Sequence, residues 1–226
     1  MYTAIVTSAG SGSRMGLGYN KMFYKILGRT IIEHSVALFL NDIKCSQIIV
    51  PTALEDQDMM RDIFKNQRRI EISNGGETRQ KSVSNALELV REAVVLVHDG
   101  ARPRATQAMV DECYDVAMAE TSAVVAVPLK DTVKRVSSDD ASLVGETIPR
   151  ESLIAVQTPQ AFPISVLKAA HKLAIKSDFI GTDDAQLVER FTEVPIKIVP
   201  GDYRNMKFTT PEDIDYFEHM MKKVPR

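Results

Sequence analysis

Short apolar runs alternate along this chain with longer stretches in which apolar residues recur at helical spacing. The first run, residues 3–7, contains Ile and Val and gives way to glycine, as a buried strand does. Residues 30–40 carry apolar positions at Ile31, Ile32, Val36, Leu38 and Phe39, with Ser35 among them, which predicts a helix packed on a sheet. A strand at 47–51, a helix at 56–64, a strand at 69–73 and a helix at 79–92 follow. Residues 93–99, Ala-Val-Val-Leu-Val-His-Asp, form the most apolar run and belong at the sheet centre. A helix at 106–119 and a strand at 122–128 continue the alternation.

Such alternation predicts an α/β fold with a mostly parallel sheet and helices on both faces. Ligands of these sheets bind beyond the carboxyl ends of the strands, where the strand order reverses. The loops at 8–21, 75–82, 98–104 and 128–134 leave those ends. Residues 131–150 break the pattern, because Val133, Val136, Leu143 and Ile148 are separated by polar and charged residues. They predict an exposed hairpin arm. Beyond it come Gln157-Thr-Pro-Gln160, a helix at 163–176, a turn at 180–184 opening a helix to 191, and a strand at 195–199. A last helix starts at Thr210-Pro-Glu212, since proline suits the first helical position. Without a repeat or linker, residues 1–226 read as a single domain with the arm inserted at about 131–150.

Composition narrows the class. The 226 residues are 44% hydrophobic, enough for a substantial core, and the net charge is only −2. Nucleic-acid and membrane-surface binding usually need a basic excess, so neither is expected. Cys45 and Cys113, far apart and outside any CxxC spacing, point to a reduced, cytoplasmic compartment. Met1 leads straight into a strand-like run, so no signal peptide is expected, and no apolar stretch is long enough to span a bilayer.

The chemistry concentrates in the loops. Ala9-Gly-Ser-Gly-Ser-Arg-Met-Gly16, followed by Lys21, lets a polyanion approach backbone N–H groups with two cations in reach. It fails G-x-G-x-x-G, because Met15 stands where glycine is needed, and it fails G-x-x-x-x-G-K-[ST], because Asn20 precedes Lys21. No G-x-S-x-G elbow supports serine hydrolysis. Gly75-Gly-Glu-Thr-Arg79 and Ser82-Val-Ser-Asn85 form a second small-residue loop entering a helix, readable as a ligand loop or as a plain helix cap. Asp99, ending the central strand, is placed either to touch a divalent cation on phosphates or to pair with Arg102. His98 reads as a packed histidine, and with no His/Cys cluster a zinc site is not expected.

Taken together these motifs resemble, over roughly residues 3–220, the 2-C-methyl-D-erythritol 4-phosphate cytidylyltransferases of bacteria and plastids, enzymes of non-mevalonate isoprenoid synthesis. The resemblance rests on the two small-residue loops, Val97-His-Asp-Gly-Ala-Arg-Pro103, Asp131-Thr-Val-Lys134, Thr158-Pro-Gln-Ala-Phe162, Thr182-Asp-Asp-Ala185 and Lys207-Phe-Thr-Thr-Pro-Glu-Asp213. It implies a Rossmann-like fold, a homodimer in which each arm helps to build the partner's site, and two substrates, CTP and a polyol phosphate, with Mg2+. It also implies roles. Arg14, Lys21 and Lys207 would stabilise charge in the chemical step. Ala9, Gly10, Gly12, Gly75, Gly76, Ser82, Asp99, Gly100 and Ala101 would bind CTP, with Asp99 also near the metal. Arg102, Thr132, Arg150, Thr158 and Thr182 would bind the acceptor. A ribitol 5-phosphate cytidylyltransferase of teichoic-acid synthesis is the near alternative, and Ser82-Val-Ser-Asn-Ala-Leu87 fits the erythritol enzyme better. A nucleotide-binding regulator without catalysis and an NAD-dependent oxidoreductase are more distant readings. Three departures from the family pattern stand out: Thr7-Ser8 for Pro-Ala, Asn20 and Met22 flanking Lys21 for Pro and Gln, and Gly100 for Ala. The second implies a looser approach to Lys21, because proline fixes φ and asparagine does not.

Overall fold

Among residues 1–10 and 18–223, which the computed structural model describes, eleven strands and seven α-helices follow one another. β1 (Tyr2–Thr7) is followed by a small hairpin, β2 (Lys25–Ile26) and β3 (Arg29–Thr30), whose turn has Leu27 at φ 52° and Gly28 at φ 78°. Two left-handed residues make the tight two-residue turn that antiparallel strands favour. This hairpin is not expected from periodicity, since it is too short to show any. α1 (Ile31–Leu40) starts with a capping box in which Thr30 and Glu33 bond reciprocally. β4 (Cys45–Thr52), α2 (Gln57–Phe64), β5 (Ile70–Asn74), α3 (Arg79–Leu87), β6 (Val94–Asp99), α4 (Gln107–Met118) and β7 (Ser122–Pro128) continue the alternation.

The helix expected at 79–92 ends at Leu87. The side chain of Gln47 is the reason. It donates to the Leu89 carbonyl at 2.9 Å and accepts from the Arg91 N–H at 3.2 Å, holding this segment as a turn against β4. The arm exists as a two-stranded antiparallel ribbon, β8 (Val133–Val136) and β9 (Val144–Ile148), with Val133 opposite Ile148. Residues 157–160, given no element from the sequence, lie inside a ten-residue strand, β10 (Ile154–Pro163). Polar residues hid it. Gln160, buried in the sheet, spends its amide on Asp183 and on the Ala185 N–H. The register against β7 shifts between Val156 and Gln160, where the Thr158–Pro159 peptide is cis.

α5 (Ile164–Lys176), α6 (Asp184–Phe191), β11 (Ile196–Pro200) and α7 (Glu212–Lys223) complete the chain. The main sheet has seven strands in the order β11-β7-β10-β6-β1-β4-β5. Only β10 is antiparallel to its neighbours, so the mostly parallel sheet stands and β6 occupies its centre. Side chains alternate across it. Tyr2, Ala4 and Val6 pack with α1, α4 and α7 on one face, and Ile5, Val95 and Val97 pack with α3, α5 and α6 on the other. After β1 the chain adds β4 and β5 to one side, then crosses to place β6 on the other. The loops leaving β1 and β6 therefore diverge from adjacent strand ends and open a crevice.

Candidate active site

The crevice begins where Thr7 and Asp99 stand in register at the ends of β1 and β6. It holds a cavity of about 540 Å³, of the size that takes a small ligand. Of the residues expected from the sequence, Ala9, Gly10, Lys21, Gly76, Ser82, Asp99, Gly100, Ala101 and Lys207 line it. Glycine is needed at the joints. Gly100 donates its N–H to the Thr7 carbonyl at 3.0 Å, and a Cβ there would lie 2.7 Å from that oxygen and 2.8 Å from Ile32. Gly75 donates to the Thr52 carbonyl at 2.8 Å, and its Cβ would meet that of Ala9 at 2.5 Å. Both loops thus press against β1 and β4 more closely than a side chain permits. Ser82, in the first turns of α3, accepts from the Gly76 N–H at 2.9 Å and donates to the Thr78 carbonyl at 3.0 Å, fixing the loop ahead of its helix.

Asp99 organises the charge. Its Oδ1 accepts from Arg79 Nε at 3.3 Å, and its Oδ2 faces Lys207 Nζ at 2.9 Å and Arg102 Nε at 3.4 Å. The pairing of Asp99 with Arg102 is present, but as one contact of three. Burial opposes ionisation of this carboxyl, yet Arg79, Lys207 and Arg102 outweigh it and hold Asp99 well below the usual carboxylate range. The cluster carries more positive than negative charge, which suits an anionic ligand.

The Lys207 segment is tied to the strand ends by the backbone. Phe208 donates to the Ala101 carbonyl at 2.7 Å, and Lys21 Nζ donates to the Phe208 carbonyl at 2.6 Å. Arg102 Nη1 reaches the Asn205 carbonyl at 2.8 Å, while buried Asn205 donates to the Thr158 carbonyl at 2.9 Å. Two cations 186 positions apart in the chain so share one wall of the cavity. The looser approach implied by Asn20 is corrected at that residue. Asn20 keeps φ at −63°, as proline would, and its side chain holds it there. Its amide donates to the Ser8 carbonyl at 3.0 Å and to Asp56 at 2.7 Å, and its oxygen accepts from the Met22 N–H at 3.0 Å.

The remaining expected residues stand apart. Gly12 and Arg14 lie outside the described residues. Thr158 is buried beneath Asp99, accepting the Asp99 N–H at 3.0 Å and bonding His98 Nδ1 at 2.9 Å. His98 is fully buried, packed edge-on to Phe39. Thr132 and Arg150 are exposed, beside the arm, with Arg150 donating to the Lys130 carbonyl at 2.8 Å. Thr182 is exposed next to α6. Sequence reasoning gave no role to Arg79 or Asp184, although both fell inside motifs it singled out. Arg79 follows the N-cap Thr78 and bridges Asp99 to Asp184, whose Oδ2 it reaches at 2.5 Å. The only signal was an arginine in the first turn of a helix entered from a small-residue loop.

No group of three or more His, Cys, Asp or Glu residues that could cage a metal ion occurs among the described residues. Asp99 is a single carboxylate beside cations. That donor set fits Mg2+ carried in on phosphates, which needs only one or two carboxylates from the protein.

A crevice at the strand-order reversal of a Rossmann-like sheet, with Lys21, Arg79 and Lys207 gathered beside Asp99, suits a nucleotidyltransferase whose metal is carried on phosphates. Comparison with known proteins sharpens that class. The chain belongs to the 2-C-methyl-D-erythritol 4-phosphate cytidylyltransferase (IspD) family, whose model matches residues 2–223. It is 43% identical over 225 residues to the protein of that name from Bacillus velezensis, covering 98% of this chain and 96% of that one. Its counterpart from Geobacillus thermodenitrificans is 42% identical over 224 residues, covering 97% and 96%. The crystal structure of 4-diphosphocytidyl-2C-methyl-D-erythritol synthase from Anaerococcus prevotii matches with a TM-score of 0.87 at 31% identity, over 99% of this chain and 96% of that one. The cytidylyltransferase of Thermus thermophilus matches with 0.80 at 28% identity, over 96% and 98%.

Proposed function

We propose that this chain transfers CMP from CTP to 2-C-methyl-D-erythritol 4-phosphate, releasing pyrophosphate. The observation that carries this reading is the meeting of Lys21, Lys207, Arg102 and Arg79 around the crevice and Asp99, in a chain of this family. The family names favour this acceptor over ribitol 5-phosphate.

An oxygen of the acceptor phosphate attacks the α-phosphorus of CTP. The bond from that phosphorus to the bridging oxygen breaks, and pyrophosphate leaves with the electron pair. The acceptor already carries a nucleophilic oxyanion, so the protein's task is to position two anions and absorb their charge. Lys21 and Lys207, on one wall, face the phosphates. Ala9 and Gly10 offer a wall without bulky side chains, and Gly75, Gly76 and Ser82 receive cytosine through backbone groups. Asp99 would hold Mg2+, which when bound neutralises phosphate oxygens. Arg102, tied to Asp99 and Asn205, stands at the acceptor side with Thr158 beneath it.

The working unit is a homodimer. Thr132 and Arg150 are exposed beside the arm and away from their own chain's cavity, which favours a role in the partner's site. Val136, Leu143 and Val144 are exposed on the same arm and offer an apolar surface for that contact. Cys45 and Cys113 are buried and unpaired, and no helix among the described residues is long and apolar enough to cross a membrane, which favours a cytoplasmic location.

Phosphorus NMR tests the reaction. With CTP, Mg2+ and methylerythritol phosphate, pyrophosphate and a new phosphodiester resonance grow together. Pyrophosphate release without acceptor, or no release with both substrates, contradicts the reading.

A further inference from the structure

Beyond Asp99 the charge network continues away from the cavity. Arg79 Nη1 reaches Asp184 Oδ2 at 2.5 Å, and Asp184 Oδ1 faces His171 Nε2 at 3.0 Å. Asp184 and His171 are buried, and His171 sits on α5, outside the residues that line the site. Burial opposes ionisation of Asp184, but Arg79 and the bond from His171 hold its carboxyl below the usual range, so His171 Nε2 is the donor. Among the described residues the other ring nitrogen, Nδ1, is buried with no hydrogen-bond partner. A leucine at this position would avoid that unmet group. Among the described residues, the ring's polar contact in return is with Asp184.

The network joins three segments that are distant in the chain. Arg79 belongs to the first turn of α3, next to the loop at 75–78. Asp99 ends β6. Asp184 opens α6, two residues after Thr182. Gln80 adds a parallel tie, accepting from the Gly181 N–H at 2.8 Å and donating to the Phe179 carbonyl at 3.1 Å. A buried ion pair is a poor route to stability by itself, because desolvation offsets most of the attraction. Its placement between the cavity-lining loop at 76–79 and the 180–184 turn suits a different purpose.

We propose that Arg79 is a positioning residue that clamps the 180–184 turn against Asp99, with His171 anchoring the clamp through Asp184. It holds Asp99 Oδ1 and so orients Oδ2, which Lys207 and Arg102 face and which is the oxygen left for Mg2+. The proposal rests on the reading that Lys207 serves the phosphates and that the Thr182 turn serves the acceptor.

The test is a double-mutant cycle with hydrogen exchange beside it. Arg79→Met lowers kcat by about 10²-fold, the scale of a misplaced reacting group, with a smaller change in KM for CTP. His171→Leu lowers kcat in the same direction, and the double variant is no slower than Arg79→Met, because both break one linkage. His171→Gln keeps an amide donor for Asp184 and restores most of the rate. Arg79→Lys, whose single ammonium cannot bridge two carboxylates, falls between the wild type and Arg79→Met. Amides of Gly181, Thr182 and Asp183 exchange faster in Arg79→Met than in the wild type. Multiplying rate losses, an unchanged kcat in folded Arg79→Met, or unchanged exchange at these amides overturns the clamp. The exchange measurement needs no turnover, so the clamp fails or stands apart from the proposed reaction.

Discussion

Asp99 shows how one residue's surroundings fix its behaviour. Its carboxylate is charged because three cations surround it, and those cations are gathered because it is charged. The native pKa lies below the unfolded value of about 3.9, so this group's stabilising share is complete above that value. That share is lost as pH falls through the native pKa, and Asp184 behaves alike. Urea midpoints measured during acidification therefore fall more steeply for the wild type than for Asp99→Asn, and matching slopes contradict the pairing. In the proposed reaction Lys21 and Lys207 meet the phosphates directly. Replacing either with alanine lowers turnover by about 10²–10³-fold, the loss typical of one charge-stabilising contact, while the far-ultraviolet circular dichroism stays unchanged. Near-normal turnover removes that residue from the chemistry. Lys21, Asp99 and Lys207 were legible because each sits in a short motif of distinctive chemistry. The bond between Arg79 and Asp184 was not, because its partners are 105 positions apart and no local period links them.

Elements bring these residues together through close backbone contacts. Gly75→Ala drives a methyl group into Ala9 and the Thr52 carbonyl, neither of which has a flexible end to move aside. It lowers stability by about 1–3 kcal/mol, the usual cost of overpacking, read as a lower urea midpoint. Gly76→Ala meets Cβ, Cγ and the backbone carbon of Lys81, which the first turn of α3 holds in place, and costs a similar amount. A wild-type midpoint in either variant contradicts this account of the loop. Most strands and helices were legible, since β1, β4, β6 and β7 are apolar runs and α1 and α4 have apolar faces, whereas β2 and β3 are too short to show a period. β10 was not, because Gln157, Thr158 and Gln160 are buried with polar partners found only in the folded chain. The end of α3 was set by Gln47 on another element, which no reading of residues 79–92 contains.

At the scale of the whole molecule, one chain brings Lys21, Asp99 and Lys207 together around the crevice and leaves Thr132 and Arg150 exposed outside it. The proposed sharing of the site between two chains makes complementation the expected outcome. Lys21→Ala and Arg150→Ala chains, each of low activity, recover turnover when co-expressed, because the mixed dimer retains one intact site. No recovery, with mixed dimers present, contradicts an exchanged Arg150. The sheet and its crevice followed from the order of apolar runs, whereas the acceptor's identity came from the resemblance and the comparisons and not from any one contact. That identity is the central claim. The most direct measurement is the initial rate of pyrophosphate release from CTP, with methylerythritol phosphate and ribitol 5-phosphate assayed in parallel. Rapid release with the first and little with the second is the predicted result, and release with ribitol 5-phosphate alone contradicts it.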